Sequence, residues 1–265
     1  MKKFEGILLA TDLDGTLLRD DKSVSEENRL AIEYFKENGG RFTFITGRTP
    51  MAVASLCKTV TPNAPIGCMN GAGIYDYDKD QLLWSVTIPD SVKELVQYVD
   101  LEFPNTGIEV ITRTQVIFCK ENAVTDKHVK DEGYPYVVGN YHNINEPMVK
   151  ILFADSPQTI DLLSKEILKH PRINEFAHMR SDAVYYELLP LGLSKATLIK
   201  KIPEFIDAKI TKTVAIGDND NDAEMLKVAY IGFAVANASP AAKKNADIIT
   251  VSNEEDAIAK VIYSL

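Results

Sequence analysis

The amino-acid sequence predicts an α/β protein: a core built on a doubly wound parallel sheet, interrupted by an α+β insert. From Ile7 to Gly73, apolar runs alternate with helical segments in βαβαβ order. The same alternation returns after Leu193. Between these halves the apolar runs are short and alternate weakly, which is typical of antiparallel strands. We therefore predict a core formed by residues 1–82 and 188–265 and an insert formed by residues 83–187.

Capping signals support the helix boundaries in the first half of the core. Ser25 is a typical N-cap, because Glu26 and Glu27 place negative charge in the first helical turn. Gly39 and Gly40 then end that helix. The predicted elements of this half are a strand at Ile7–Ala10, a helix at Ser25–Asn38, a strand at Arg41–Thr46, a helix from Pro50 and a strand at Ile66–Met69.

The second half of the core repeats this order, and its buried runs assign it to the same parallel sheet. Its predicted elements are a helix from Ser194, a strand at Thr213–Ile216, a helix from Ala223, a strand at Ile231–Val235, a short helix near Pro240, a strand at Ile248–Val251 and a helix from Glu254. In the insert we expect helices at Ser91–Val99, Ala123–Lys130 and Pro157–Leu168, and strands at Ile108–Ile111, Val116–Cys119, Met148–Phe153, Arg172–His178 and Ala183–Leu188.

The composition favours a globular protein with a small-molecule partner. Apolar residues make up 45% of the chain, and the net charge of −9 argues against a nucleic-acid-binding surface. The apolar run before Asp12 is too short for a signal-peptide core or a membrane span. We therefore expect a cytoplasmic protein without nucleic-acid or membrane partners, as a monomer or weak homo-oligomer.

The three cysteines are odd in number, and none of them forms a CxxC pair. A disulfide framework or a zinc site is therefore disfavoured. We expect these residues to be small buried hydrophobes: Cys57, Cys68 and Cys119.

Two carboxylates follow the first predicted strand. Side chains alternate along an extended strand, so Asp12 and Asp14 begin on the same side, and Gly15 then allows a sharp turn. Two such carboxylates repel each other unless a cation lies between them. The alternative is a hairpin turn at Asp14-Gly15, a common use of that dipeptide.

Two further segments supply groups suited to binding an anion. Thr46 ends a strand with a hydroxyl donor, and Gly47 leaves its backbone N–H accessible to an anion. Lys195 lies in the first turn of a helix, where the helix dipole ordinarily favours acids, which suggests a bound anion there. The alternative for Lys195 is a solvated surface lysine.

A fourth segment ends a buried strand in an acid-and-amide cluster, Gly217-Asp218-Asn219-Asp220-Asn221-Asp222. A calcium loop counted from Asp218 would need glycine and glutamate where Ala223 and Ala229 stand. A solvated turn that caps the next helix is the remaining alternative. Because the carboxyl ends of parallel strands meet at one edge of a sheet, we expect all four segments to converge.

Together these segments resemble the haloacid dehalogenase (HAD) superfamily of aspartate-nucleophile phosphatases, whose signature strand ends in DxDGT. The short spacing between Asp12 and Thr46 leaves no room for an insert, whereas the long segment between Thr46 and Lys195 holds one. That arrangement resembles the Cof-type, C2B-capped (class IIB) branch, which includes sugar-phosphate phosphatases. Asn70-Gly71-Ala72 is similar to a pattern of the same branch. The resemblance implies a Rossmann-like core with the insert as a cap domain.

The resemblance also implies a set of site residues. Asp12 would be the nucleophile that forms an aspartyl-phosphate, and Asp14 the general acid and base, with a pKa near the working pH. Mg²⁺ would be held by Asp12, the Asp14 backbone carbonyl and Asp218, with Asn219 a further candidate. Phosphate oxygens would be held by Leu13, Thr46, Gly47, Lys195 and Asn221.

Other polar residues carry weaker expectations. Arg48 and Asn70 are candidate substrate contacts, with plain surface roles as the alternative. For His128, Arg180 and Glu187, all in the insert, we expect surface positions.

The predicted activity is hydrolysis of small phosphorylated metabolites, most naturally sugar phosphates. A phosphomutase would use the same nucleophile and metal ion. A ligand-sensing relative without activity should lack one of the central site residues, and a phosphoryl-accepting receiver would not need the insert.

Overall fold

The computed structural model describes residues 2–265, which form two compact units. The first unit comprises the chain up to Trp84 together with Ser194–Leu265, and the second comprises Ser85–Leu193. The strands are β1 (Ile7–Thr11), β2 (Arg41–Phe44), β3 (Ile66–Cys68), β4 (Gly73–Asp76), β5 (Gln81–Ser85), β6 (Gly107–Thr112), β7 (Val116–Lys120), β8 (Val137–Val138), β9 (Met148–Ala154), β10 (Phe176–Asp182), β11 (Tyr185–Pro190), β12 (Lys212–Gly217), β13 (Ile231–Ala234) and β14 (Ile248–Ile249).

The α-helices are generally three turns or fewer. They are α1 (Glu26–Glu37), α2 (Pro50–Thr59), α3 (Val92–Glu102), α4 (Ala123–Glu132), α5 (Pro157–Glu166), α6 (Lys195–Lys201), α7 (Ala223–Val228), α8 (Pro240–Asn245) and α9 (Ala257–Ser264). The predicted N-cap of α1 is confirmed, because the Ser25 side chain accepts a hydrogen bond from the backbone N–H of Asn28 at 3.1 Å. Within residues 2–265, no helix combines the length and the hydropathy that crossing a lipid bilayer requires.

A five-stranded sheet in the order β14-β13-β12-β1-β2 forms the centre of the first unit, and each neighbouring pair is parallel. The register pairs Ala10 with Ala215 and Leu9 with Phe42. Both halves of the predicted core therefore contribute to one sheet, with β1 between β12 and β2. This confirms the predicted α/β class and brings the carboxyl ends of β1, β2 and β12 together.

The strand after α2 differs from the prediction. We expected Ile66–Met69 to extend the parallel sheet, but β3 forms a separate three-stranded sheet in the order β3-β4-β5 and pairs with β4 in antiparallel fashion. A single parallel bridge, between Ile45 and Gly67, links β3 to the end of β2. The 3-10 turn Met69–Gly71 reverses the chain here, and β4 and β5 were not predicted.

The second unit has a six-stranded sheet in the order β10-β11-β9-β6-β7-β8. Its pairs are antiparallel except for β7 and β8, in agreement with the α+β prediction. Apolar residues of α3 and α5 pack with those of the sheet in a core that is separate from the core of the first unit. The predicted strand at Arg172–His178 begins later, at Phe176, because Ile173–Glu175 forms a 3-10 turn.

Two of the cysteines are buried as predicted. Cys57 and Cys68 lie in the interior, whereas Cys119 is half-buried, and the cysteines of residues 2–265 form no disulfide. Burial raises the pKa of Cys57 to about 12 and that of Cys119 to about 12, so neither thiol is a ready nucleophile.

Candidate active site

The side chains that follow β1, β2 and β12 lie at the same edge of the parallel sheet. Asp12 continues the ladder one residue past β1, since its backbone N–H donates to the Ile216 carbonyl at 2.9 Å. Thr46 is held beyond β2 by a bond from its N–H to the Gly67 carbonyl at 3.0 Å. Asp218 directly follows β12. The sheet topology thus brings together groups that are far apart in the sequence.

Lys195 links two carboxylates in the interior of the first unit. Its Nζ donates to Asp12 Oδ1 at 2.6 Å and to Asp222 Oδ1 at 2.7 Å. Lys195 is 2% exposed, and Asp222 is fully buried. The backbone N–H of Ser194, the predicted N-cap of this helix, donates to Thr197 Oγ1 at 3.2 Å, and the Thr197 N–H donates to the Ser194 carbonyl at 2.9 Å, which fixes the first turn that carries Lys195. The surface alternative for Lys195 is therefore wrong.

Burial and mutual repulsion perturb the charges of this cluster. Burial, together with the nearby charges of Asp222 and Asp218, raises the pKa of Asp12 well above its ordinary value, although Lys195 acts in the opposite direction. Burial and Asp222 raise the pKa of Asp218 to about 6. Burial disfavours the charge on Lys195, but Asp12 and Asp222 outweigh it and raise the pKa of the ammonium. Three carboxylates around one ammonium leave excess negative charge at this position.

Glycine is required where the chain turns after Asp14. Gly15 has a φ of +76°, and a Cβ atom there would lie 2.6 Å from Asp218 Oδ2. The next residue, Thr16, donates its hydroxyl to Asp218 Oδ1 at 2.9 Å. The DxDGT segment thus turns directly against the loop that follows β12.

Asp222 organises that loop. Its Oδ2 accepts the backbone N–H groups of Asp218 and Asn219, both at 3.0 Å, while its Oδ1 accepts from Lys195. Asn219 is exposed, and its side-chain oxygen accepts the N–H of Asp220 at 2.8 Å, which caps a short 3-10 turn. The structure therefore places Asp222 within the carboxylate cluster, whereas the amide oxygen of Asn219 is engaged in its own turn.

The Asp14 carboxylate faces two cations. Arg48 donates to Asp14 Oδ2 through Nε and to Oδ1 through Nη2, both at 2.8 Å, and Lys22 Nζ donates to Oδ1 at 2.8 Å. Burial alone would raise the pKa of Asp14, but the hydrogen bonds and charges of Arg48 and Lys22 lower it to about 2. The predicted acid role needs a pKa near the working pH, so in this arrangement Asp14 is an ionised base. Nothing in the sequence pattern pointed to Lys22.

The predicted phosphate-binding residues Thr46 and Gly47 contact Asn70, which in turn contacts Asn221. The Thr46 hydroxyl oxygen accepts the N–H of Arg48 at 3.1 Å, which leaves its own proton as a donor. The Asn70 amide packs on Gly47, where a Cβ atom would lie 2.8 Å from Asn70 Nδ2. Asn221 donates its Nδ2 to Asn70 Oδ1 at 3.0 Å. Arg48 and Asn70, expected at the surface or at substrate, both lie among the site residues.

The carboxylate cluster suits a hard divalent cation. Asp12, Asp218 and Asp222 each offer an oxygen, and these atoms lie within 4.8 Å of one another. Oxygen donors with excess negative charge favour Mg²⁺ or a similar ion, and a bound cation would offset the repulsion that raises the pKa of Asp12. Asp12 and Asp218 fit the role of ligands better than Asp222, whose two oxygens already accept three hydrogen bonds.

Two residues of the second unit are not at the surface as expected. Glu187 is 3% exposed and accepts from Lys150 Nζ at 3.1 Å. His128 is largely buried, with its Nδ1 2.9 Å from Glu109 Oε1. Glu109 and Glu187 both lie within sheet strands whose residues are buried almost throughout, so strand alternation gives no signal of their burial.

Comparison with known proteins identifies the superfamily. The family model for haloacid dehalogenase-like hydrolases matches residues 9–262. The chain is a haloacid dehalogenase-like hydrolase. This confirms the predicted superfamily and, with the relatives below, the predicted enzyme class of phosphatase.

Similar proteins include phosphatases with different named substrates. The chain is 28% identical over 261 residues to 5-amino-6-(5-phospho-D-ribitylamino)uracil phosphatase YitU of Bacillus subtilis, with 96% of each chain covered. It is 24% identical over 278 residues to pyridoxal phosphate phosphatase YbhA of Escherichia coli, with 97% of each chain covered. Among solved structures, the HAD subclass IIB sugar phosphatase BT4131 is 21% identical, with a TM-score of 0.83 over 97% of this chain and 98% of that one, which shows a shared fold.

Proposed function

We propose that this HAD hydrolase is a Mg²⁺-dependent phosphomonoesterase that transfers the phosphoryl group of a small metabolite to Asp12 and then to water. The observation that carries the proposal is the buried ammonium of Lys195, held between Asp12 and Asp222 at 2.6 and 2.7 Å. A buried cation beside a carboxylate, at the carboxyl ends of parallel strands, can orient a nucleophile and neutralise the charge of an incoming phosphate.

Asp12 is the proposed nucleophile. One of its oxygens, Oδ1, is engaged by Lys195, which fixes the carboxylate plane and leaves Oδ2 to attack phosphorus. A carboxylate needs no base to become nucleophilic, provided that it is ionised. The raised pKa of Asp12 therefore makes the neighbouring positive charge essential to the reaction.

Asp14 is the proposed proton-transfer residue. In the ion pair with Arg48 and Lys22 it is ionised but a weak base, so it can remove a proton from the water that hydrolyses the aspartyl-phosphate only after those two cations move away. Protonation of the leaving alkoxide in the first half-reaction requires Asp14 to separate from those two cations.

The remaining polar groups bind the phosphoryl oxygens in this proposal. The Thr46 hydroxyl, the Lys195 ammonium, the Asn221 amide and the backbone N–H groups of Leu13 and Gly47 supply donors where negative charge spreads in the transition state. Mg²⁺, held by Asp12, Asp218 and the Asp14 carbonyl, would supply charge neutralisation and orientation of the phosphate.

The proposed substrates are small phosphorylated metabolites, and sugar phosphates are the first class to test. Relatives of similar length act on chemically different leaving groups, as their names state, so the phosphoryl site is the common feature. We propose that the second unit acts as a cap that excludes water and recognises the leaving group.

A phosphate-release screen tests this function. Hexose phosphates, nucleotides, pyridoxal phosphate and flavin mononucleotide are each incubated with purified enzyme in Mg²⁺ or in EDTA. We expect Mg²⁺-dependent release of inorganic phosphate from at least one of them. Accumulation of an isomeric sugar phosphate without free phosphate would identify a mutase instead, and activity undiminished by EDTA would contradict the metal requirement.

A further inference from the structure

The turn that follows β3 has an unusual backbone. Met69, Asn70 and Gly71 have consecutive positive φ values of 55°, 52° and 120°. Asparagine tolerates the left-handed region better than most residues, but methionine does not, and such strain persists only where the surrounding structure enforces it. The turn is buried, with Asn70 only 1% exposed. Strain of this kind at the edge of a site suggests that the position of one side chain matters.

The surrounding contacts fix the turn on both sides. The N–H of Asn70 donates to the Thr46 carbonyl at 3.1 Å, and the N–H of Met69 donates to the Arg48 carbonyl at 3.0 Å. On the other side, a Cβ atom on Gly71 would lie 2.7 Å from the carbonyl oxygen of Ser194, the residue before Lys195. The turn is therefore packed between the loop after β2 and the start of α6.

The Asn70 side chain reaches the third loop of the site. Its Oδ1 accepts Nδ2 of Asn221 at 3.0 Å, and its amide packs on Gly47. Asn221 Oδ1 is buried and accepts no protein hydrogen bond within residues 2–265, so the bond to Asn70 sets the orientation of the Asn221 amide. One N–H of that amide is then fixed, which fixes the direction of the second N–H as well.

We infer that Asn70 is a positioning residue: it orients the amide of Asn221 toward the phosphoryl group and does not recognise the leaving group. The inference rests on the proposed function, in which Asn221 donates to a phosphate oxygen. It differs from the expectation that Asn70 contacts substrate. Because every substrate shares the phosphoryl group, loss of Asn70 should lower kcat/KM by the same factor for all substrates.

The test uses Asn70→Gly and Asn70→Ala in the full chain, assayed on a hexose phosphate and on p-nitrophenyl phosphate. Both variants lose the hydrogen bond to Asn221, but glycine adopts a positive φ without strain, so Asn70→Gly should lower the melting temperature less than Asn70→Ala does. Both variants should lose kcat/KM by about tenfold, to the same extent on both substrates. Activity loss would then be independent of stability, which a merely structural role does not allow.

A double-mutant cycle tests the route through Asn221. If Asn70 acts by orienting Asn221, Asn70→Gly should cost little in a protein that already carries Asn221→Ala. Additive losses, or losses that differ between the two leaving groups, would overturn the inference. Asp80→Gly is the matched control, since Asp80 also has a positive φ, of 50°, but lies in an exposed loop, and its activity should equal that of the wild type.

Binding of inorganic phosphate in the presence of Mg²⁺, measured by calorimetry, separates this inference from the proposed function. Asn70→Gly should weaken phosphate binding by about the same factor as it lowers kcat/KM. If the wild type binds phosphate but hydrolyses no phosphomonoester, the proposed function fails while the effect of Asn70 on phosphate binding is still measured. Unchanged phosphate affinity in Asn70→Gly would contradict the inference.

Discussion

Each unit of the molecule contains a buried lysine that contacts at least one carboxylate, but the two arrangements arise differently. In the second unit, Lys150 of β9 meets Glu187 of β11 at 3.1 Å, and β9 and β11 are paired strands, so the sheet register brings these side chains together. In the first unit, Lys195 is the first residue of α6, and its partners Asp12 and Asp222 follow two other strands. The first pair follows from regular structure, whereas the second depends on the convergence of separate loops.

The difference in charge balance between the two clusters supports different roles for them. Around Lys195, three carboxylates converge, and burial raises the pKa of Asp12 and Asp218. Such a cluster is costly to the folded protein unless a ligand compensates it. Lys150 and Glu187 lie within a sheet, where the partner strand supplies the charge. We therefore propose a catalytic role for the first cluster and a stabilising role for the second pair.

Replacement of the nucleophile should give the largest effect. Asp12→Asn keeps the shape of the side chain but removes the attacking oxygen, so turnover should fall by about 10⁴-fold or more. The melting temperature should change little, because a buried carboxyl with a raised pKa is replaced by a neutral amide. Glu109→Gln in the second unit is the control, and it should lower stability while leaving turnover unchanged. Wild-type phosphatase activity in Asp12→Asn would exclude Asp12 as the nucleophile.

The two buried lysines can be compared directly. Lys195→Met and Lys150→Met each leave a buried carboxylate without its lysine, so each should lower the free energy of unfolding by about 3–5 kcal/mol. Only Lys195→Met should also abolish turnover of p-nitrophenyl phosphate by the folded enzyme. Denaturant unfolding and steady-state kinetics on both variants measure the two effects. Equal loss of turnover in the two variants would remove the distinction between the two regions.

The effect of Mg²⁺ on stability should depend on the carboxylates around Lys195 and not on those of the second unit. Mg²⁺ at about 100 times its dissociation constant should stabilise the wild type by about 2.7 kcal/mol, because the ion binds the folded state alone. Asp218→Asn removes one carboxylate and should lose most of this stabilisation, whereas Glu187→Gln should retain it. Thermal unfolding with and without Mg²⁺ measures the difference. An equal Mg²⁺ response in Asp218→Asn would argue against Asp218 as a ligand.

The ion pair of His128 in the second unit should have a smaller effect on stability, and this effect should depend on pH. Burial opposes the charge on His128, but Glu109 and Glu132 outweigh it and raise its pKa from 6.5 to about 9. The stabilisation of the folded protein by this ion pair is complete below about pH 6.5 and is lost as the pH rises through 9; it amounts to about 3 kcal/mol. Tyr134 and Tyr185, which also face the imidazole, have raised pKa values and do not titrate in this range.

Unfolding curves between pH 6 and pH 9 check this effect. His128→Gln should flatten the loss of stability over this range, whereas His142→Gln, at an exposed position, should not. Turnover by folded enzyme should show no difference between the two variants at neutral pH. An unchanged pH dependence in His128→Gln would show that the imidazole is not charged in the folded protein.

The sequence predicted the parallel core and the convergence of its loops, for a physical reason. Continuous apolar runs indicate strands buried on both faces, and polar groups after such strands must meet at one sheet edge. Asp12, Asp218 and Lys195 were found in this way. The sequence alone assigns no role to Asp222, since which oxygens of a loop accept backbone N–H groups depends on the φ and ψ angles of that loop.

Other features depended on contacts that leave no local signal. The contact between Lys22 and Asp14 arises from the course of an exposed loop. The turn at Met69–Gly71 has two non-glycine residues in the left-handed region, against their local preference, and the chain therefore enters β4 where we expected the parallel sheet to continue. Burial of His128 and Glu187 follows from the packing of the second unit, whereas isolated polar residues in a sequence are most often exposed.

The central claim is that Asp12 becomes phosphorylated in each catalytic cycle. Enzyme is quenched in acid during turnover, digested with pepsin at low pH, where the acyl phosphate survives, and analysed by mass spectrometry on the peptide that contains Asp12 and Asp14. Asp14→Asn turning over p-nitrophenyl phosphate, whose leaving group needs no acid, provides the sample with the highest expected occupancy, because only hydrolysis of the intermediate is slowed. We predict one phosphoryl group on Asp12 in this variant and none in Asp12→Asn. Turnover without any phosphorylated form of this peptide would contradict the account.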